Sequence, residues 1–338
     1  KRLNDTFDEN VEKLVAGGDS QKKAQQKFRH KFFVPESARW SILSDASSNL
    51  GEIIDGVCRD IESEVPTLEG VLTNTKYNDK KKFPDDKLRK LVAHFNELSL
   101  QNKNLEKEDI FGDAYEYLLE TFADETKKKG GEFFTPREIV QLLVNITKPQ
   151  EGMKISDPTC GSGGMLVVSR QYVADHKGDV NNLVLDGQES NYGNLGMCKM
   201  NLILHGMEDF NIQHEDTLSH PKLIDGGKLT QYDKELANFP FSMDWDNSSA
   251  SKDPYNRFAY GIPPAKDKAD YAFILHMLAS LNEKGQAAIV CSQGVLFRGG
   301  EEGKIRKNMI VGDKENNLQG DCIEAIIALP QKMFWGTS

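Results

Sequence analysis

The chain has 338 residues, 38% of them hydrophobic and 28% charged, with a formal net charge of −10. That length admits two domains, or one large α/β domain with an appendage, and no apolar run approaches the length that spans a membrane. The acidic balance argues against a protein that grips nucleic acid unaided, because neutralising phosphates supplies much of that affinity.

Residues 1–130 read as an all-helical domain. Leu43, Asn49-Leu50, Ile53-Ile54, Val57 and Ile61 recur at three- and four-residue spacing, as do Leu88, Leu91-Val92, Phe95 and Leu98. Turn signals fall at Glu64-Val65-Pro66, Lys76–Lys82 and Gln101–Lys107, the middle one reading as a loose polar loop. A further amphipathic helix is expected over Leu105–Thr126, burying Ile110, Tyr115, Leu118-Leu119 and Phe122. No catalytic constellation stands in this half, which reads as a packing or partner-binding domain.

The composition changes at Lys127-Lys128-Lys129-Gly130-Gly131, a helix C-terminus by charge and glycine, so the second domain is expected over 131–338. Glu132-Phe133-Phe134-Thr135-Pro136-Arg137-Glu138 comes next, then an apolar helix over Ile139–Ile146. Thr135 reads as its N-cap, with Pro136 at the first helical position and Glu138 completing a capping box. The two phenylalanines offer a wall for an adenine or a sulfonium.

From here strands and helices alternate as in an α/β sheet. Strands are expected at Lys154–Asp157, Asn182–Gly187, Phe210–Gln213, Glu235–Asn238, Ala287–Ser292 and Ile323–Leu329, and helices at Gly163–Asp175, Asn191–His205 and Asp270–Leu281. Asp157-Pro158-Thr159-Cys160-Gly161-Ser162-Gly163-Gly164 joins the first strand to its helix. Glycines there let the backbone approach a ligand, and the helix start offers free N–H groups to an anion. With no G-x-G-x-x-G and no Lys-Ser/Thr after the glycines, a carboxylate fits better than a phosphate, and Asp157 can hold an ammonium beside it. A ligand carrying both on one carbon is an amino acid, as in S-adenosylmethionine. About 30 positions on, Glu189 ends the second strand, placed to accept two ribose hydroxyls, with Asp186 as a turn former. Asp216, after the third strand, is placed to accept from an adenine amino group or to form a turn.

The fourth strand runs into Leu236-Ala237-Asn238-Phe239-Pro240-Phe241-Ser242. Taken with 131–137 and 157–164, this resembles the gamma group of adenine amino-methyltransferases, in which a Phe-Thr-Pro segment, a glycine loop and an Asn-Pro-Pro-Tyr/Phe motif follow in that order. Tyr115–Leu119, Gly294-Val295-Leu296-Phe297-Arg298-Gly299-Gly300 and Leu329–Thr337 are further similar to the modification subunit of type I restriction–modification systems. The resemblance covers nearly the whole chain. It implies a doubly wound, mostly parallel α/β sheet of the S-adenosylmethionine-dependent type and a DNA adenine-N6 methyltransferase. The cofactor would lie against Glu132–Arg137, Asp157–Gly164, Glu189 and Asp216. Partners implied are double-stranded DNA, a specificity subunit that chooses the target, two copies of this chain per complex, and a restriction (motor-nuclease) subunit where the system has one. Two positions depart from the family: Phe239 stands where it has proline, and Lys234-Glu235 interrupt a strand that is otherwise apolar.

The chemistry assigns roles to four residues. The Asn238 side-chain oxygen and the backbone carbonyl of Phe239 accept the two amine hydrogens, concentrating the nitrogen lone pair toward the methyl group. Pro240 belongs to the same motif, and Phe241 stacks on the flipped base, with Phe334 or Trp335 as the opposite face. Because only the carbonyl of residue 239 is needed, Phe239→Pro is expected to be tolerated. A protein-glutamine methyltransferase shares the Asn-Pro chemistry but not the Phe-Thr-Pro and Phe-Arg-Gly-Gly stretches, and Phe239 favours a non-catalytic scaffold. Cys58, Cys160, Cys198, Cys291 and Cys322 form no C-x-x-C pair, which points to free thiols in a cytoplasmic protein without a zinc site. No metal is expected. The start at Lys1 and the stop just past an apolar run read as a piece of something longer.

Overall fold

The structure, a computed structural model, describes all residues except 107–109, 127–133, 208, 242, 267, 331–332 and 334–338, together with all side chains but those of 124–126 among the rest. Packing divides the chain into two units, Lys1–Ala114 with Ile203–Gly206, and Tyr115–Leu202 with Met207–Ser338. The expected boundary at Gly130-Gly131 lies outside the described residues.

The first unit is helical: α1 (Arg2–Ala16), α2 (Gln21–Ala24), α3 (Trp40–Ser44), α4 (Leu50–Glu64), α5 (Asp85–Asn96) and the start of α6 (Ile110–Thr126). The apolar stripe expected from spacing is what packs. Val57 and Ile61 of α4 meet Phe7 and Val11 of α1, while Leu50 meets Leu88 and Val92 of α5. The segment over Lys76–Lys82 is anchored rather than loose, because the Asp55 carboxylate accepts the amides of Tyr77 at 2.8 Å and Asn78 at 3.2 Å. Along α6 the expected stripe holds in part, with Leu119 buried and Ile110 and Tyr115 half-buried. Leu119 and Ala123 are buried, whereas Leu118 and Phe122, one position before each, are exposed.

The second unit holds α7 (Arg137–Thr147), β1 (Lys154–Asp157), α8 (Gly164–Asp175), β2 (Val184–Glu189), α9 (Tyr192–Leu204, whose end belongs to the first unit) and β3 (Asn211–His214). A hairpin, β4 (Ile224–Asp225) and β5 (Lys228–Leu229), precedes β6 (Tyr232–Ala237), α10 (Asp270–Ser280), β7 (Leu281–Ile289), α11 (Gly294–Phe297) and α12 (Gly300–Val311). The sheet order is β3-β2-β1-β6-β7, every pair parallel. Alternation along the strands sends Leu236 and Ala288 into a core with α7, α8 and α9, and Ala237 and Ile289 into one with α10 and α12. The chain is thus a doubly wound α/β fold, as its strand–helix alternation implies. One expected strand is missing: Ile323–Leu329 makes no ladder with any described strand, and Ile326 and Ile327 are exposed. A β-branched run becomes a strand only where a neighbour completes its hydrogen bonds.

Lys234 and Glu235 do lie inside the buried central strand, and each finds a cross-strand partner. Lys234 Nζ donates to Gln286 Oε1 of β7 at 2.6 Å, and Ser156 Oγ of β1 donates to Glu235 Oε1 at 2.6 Å. Burial pushes the Glu235 carboxyl well above its ordinary range, which favours its neutral form. An acid whose folded pKa is raised binds a proton that the unfolded chain releases, so its cost begins near the unfolded value of 4.5 and grows as pH rises. Glu235→Gln keeps the Ser156 bond and removes that cost. It is expected to stabilise the protein by about 1–3 kcal/mol at pH 8 and by little at pH 5, read from urea midpoints at both.

Candidate active site

The strand order reverses at β1: the chain leaves it toward β2 and β3 on one side and returns through β6 and β7 on the other. The carboxyl ends of β1 and β6 therefore flank the crevice in which such sheets bind ligands. One carries the glycine turn, and the other carries Asn238–Phe241.

Two glycines set the backbone of the turn. Gly161 and Gly163 take φ of +52° and +81°, in the left-handed region. A Cβ on Gly163 would lie 2.9 Å from Cys198 Sγ of α9, so glycine is required twice over there. Asp157 Oδ1 accepts the Thr159 amide at 3.0 Å, Cys160 N donates to the Gln188 carbonyl at 3.1 Å, and Gly163 N donates to the Cys160 carbonyl at 2.7 Å. Pro158 offers its carbonyl to Thr217 Oγ1 at 2.5 Å, and Ser162 offers its carbonyl to Asn201 Nδ2 at 3.0 Å. Gly164 then opens α8. Asp157 is 2% exposed, and burial drives its pKa up to about 7.

Glu189 stands beside the turn and holds it. Its Oε2 accepts the Gly161 amide at 2.9 Å and its Oε1 accepts the Asn191 amide at 2.7 Å, while burial raises its pKa. Asp186, expected as a turn former, instead sits within β2 and accepts from Tyr232 Oη at 2.7 Å. Asp216 is itself a turn former, with Oδ1 on the Leu218 amide at 2.8 Å and Oδ2 on Ser219 Oγ at 3.0 Å.

At the end of β6, Asn238 Nδ2 donates to Thr135 Oγ1 at 3.0 Å, and Asn238 Oδ1 is buried with no hydrogen-bond partner among the described residues. Phe239 turns its ring away into the core, 1% exposed and stacked on Phe273 of α10 with centroids 5.0 Å apart. Phe239→Pro would empty that core position, so the expected tolerance is corrected by packing: truncating a buried aromatic typically costs about 3–5 kcal/mol. Phe241 is half-buried after Pro240, edge-on to Phe239 at 6.1 Å.

The segment before α7 is only partly described. Glu132 and Phe133 lie outside the described residues, as do Phe334 and Trp335. Phe134, Thr135 and Pro136 lead into α7, whose cap is Pro136 with no side-chain hydrogen bond, so Thr135 is not the expected N-cap. Arg137 pairs with Glu116 of α6 and lies 3.4 Å from Gln171 Oε1 of α8. Sequence reasoning missed Thr217 and Asn201. The signal for Asn201 was available, an amide amid the apolar face of α9; Thr217 carried none.

Residues 106–338 match the family model described as N-6 DNA Methylase, and residues 1–95 match that of the HsdM N-terminal domain. The chain belongs to the N-6 DNA methylases. The methyl donor of this family is S-adenosylmethionine. Among similar proteins, the type I restriction enzyme HindI methylase subunit of Haemophilus influenzae is 32% identical over 90% of this chain and 70% of its own length. The MjaVII methylase subunit of Methanocaldococcus jannaschii is 38% identical over 74% of this chain but 41% of its own length. The crystal structure of a type I restriction–modification methyltransferase subunit from Streptococcus thermophilus superposes with a TM-score of 0.75 at 28% identity, covering 91% of this chain and 70% of that one. Several other curated relatives are matched over about half their length, between 46% and 56%. The residues at the ends of β1 and β6 are compatible with that donor: glycines at 161, 163 and 164 where the turn enters α8, and a buried acid, Asp157, at the end of β1.

Proposed function

We propose that this N-6 DNA methylase is the modification subunit of a type I restriction–modification system, transferring a methyl group from S-adenosylmethionine to N6 of an adenine flipped out of duplex DNA. The observation that carries the reading is Asn238: at the end of β6, the neighbour of β1, its acceptor oxygen is buried with no hydrogen-bond partner among the described residues. A buried acceptor left open costs free energy unless a ligand donor completes it. The bound donor supplies an electrophilic methyl on a sulfonium. Asn238 Oδ1 and the Phe239 carbonyl take the amine hydrogens, a role that needs only backbone from residue 239. Phe241 covers one face of the base. Asp157 takes the ammonium, the start of α8 takes the carboxylate, and the remaining lone pairs of Glu189 take the ribose hydroxyls. Asp216, committed to its turn, takes the adenine amino group through whatever lone pairs remain, and Phe134 offers a wall to the cofactor.

The net charge of −10 supports a reading in which a specificity subunit supplies most of the grip on DNA, with two copies of this chain in the complex and a motor-nuclease subunit joining where one is encoded. The test is product identity. With labelled S-adenosylmethionine and duplex DNA, the chain in complex with its specificity partner should yield N6-methyladenine as the labelled nucleoside. Label in cytosine or in protein would overturn the reading.

Binding should also report Asp157. Its pKa of about 7 without ligand means that the ammonium meets a largely protonated acid below that pH and must displace the proton. Affinity is expected to rise by up to about tenfold per pH unit below 7 and to level off above it. Calorimetry at pH 6 and 7.5 should show the rise in the wild type, with proton release at pH 6, and Asp157→Asn should bind more weakly with no such slope.

A further inference from the structure

We propose that Thr135 is a positioning residue for methyl transfer, holding the NH2 end of the Asn238 amide so that its oxygen faces the target amine. The inference rests on the role given to Asn238 above. A carboxamide carries a donor at one end and an acceptor at the other, and a half-turn about its last side-chain bond exchanges them. Only one of the two orientations serves this chemistry. With Nδ2 toward the amine, N–H would face N–H, and the nitrogen lone pair would not be directed at the methyl group.

Three observations meet at Thr135. Its place before Pro136 and α7 is that of a capping residue, yet the helix start uses no side-chain cap. Its hydroxyl oxygen instead lies 3.0 Å from Asn238 Nδ2, joining positions 103 residues apart. The other end of that amide, Oδ1, is buried and open among the described residues. A hydroxyl diverted from a local cap to a distant amide, on the side away from the open acceptor, fixes the amide plane and leaves one end for substrate. Preorganisation of this kind raises the rate without contributing to cofactor or DNA affinity.

The test compares Thr135→Val, which keeps the shape and removes the hydroxyl, with Thr135→Ser, which keeps the hydroxyl, in the full chain assembled with its specificity partner. Thr135→Val should lower the single-turnover rate about 10- to 100-fold, while Thr135→Ser stays within a few-fold of wild type. Calorimetric affinity for S-adenosylmethionine and the KM for DNA should be unchanged in both. Should Thr135→Val fail to fold, Thr135→Ala takes its place with the same expectations. A wild-type rate in the valine or alanine variant, with Asn238→Ala inactive, overturns the positioning role alone. So does a loss of cofactor affinity matching the loss of rate, which would make Thr135 a cofactor contact. An active Asn238→Ala overturns the underlying reading instead.

Discussion

Arg257→Ala is expected to destabilise the protein by about 3–5 kcal/mol, the cost of leaving one member of a buried ion pair alone. Both side chains of the pair are almost fully buried. Arg257 Nε and Nη2 donate to Asp253 Oδ1 at 2.9 and 2.7 Å, and Asp253 Oδ2 accepts the Arg257 amide at 2.8 Å. The guanidinium lies 5.1 Å from the Phe258 ring centroid. Beside it, burial and then the charge of Arg257 lower the His276 pKa to about 3, so the imidazole is neutral wherever the protein is folded near neutral pH. The consequence reaches the site, because Arg257 Nη1 also donates to the Thr217 carbonyl at 3.1 Å, and Thr217 Oγ1 donates to the Pro158 carbonyl of the glycine turn. Urea unfolding should show the lower midpoint, and calorimetry under folding conditions a weaker grip on S-adenosylmethionine. Asp253→Ala should behave alike, and the double variant should lose much less than the sum, since each single change strands the other's charge. A shift under 1 kcal/mol for Arg257→Ala would show that the charge is solvated elsewhere.

The parts legible in the sequence are those encoded by local spacing. Glycines at 161 and 163 mark a turn because only they adopt its φ cheaply, and Asn238 stands out because its motif follows a strand directly. The periodicities that outline α4, α5, α8 and β1 are read within single turns or pleats. What was not legible depends on partners far along the chain. Lys234 and Glu235 look out of place in a central strand until Gln286 and Ser156 appear across the ladder. Thr135 carries a cap signature, and nothing local reveals that its hydroxyl goes to Asn238. The stripe of α6 is right at Leu119 and wrong at Leu118 and Phe122, because the apolar run there offers more than one face and packing selects Leu119 and Ala123. Ile323–Leu329 has the composition of a strand and lacks the neighbour that would make it one.

Asn238→Ala is expected to reduce methyl transfer by at least about 100- to 1,000-fold, the range for removing one dipole aimed at a reacting centre. Here the loss should lie toward the upper end or beyond, because the same group also orients the nucleophile. Asn238 reaches no part of the glycine turn by hydrogen bond among the described residues, so cofactor affinity should be nearly intact. Phe241→Ala separates from it in kind. On the proposed reading that ring stacks on the flipped base, a contact worth about 1–3 kcal/mol, so its loss is expected to weaken capture and to be partly rescued by a mismatched partner base, which is cheaper to flip.

The most direct measurement is single-turnover methylation of a hemimethylated duplex by wild type and Asn238→Ala, each in complex with the specificity subunit and saturated with S-adenosylmethionine. The account predicts N6-methyladenine formation by the wild type and a rate at least about 100-fold lower for the variant, with bound cofactor equal in the two. Near-equal rates at equal cofactor occupancy would contradict it.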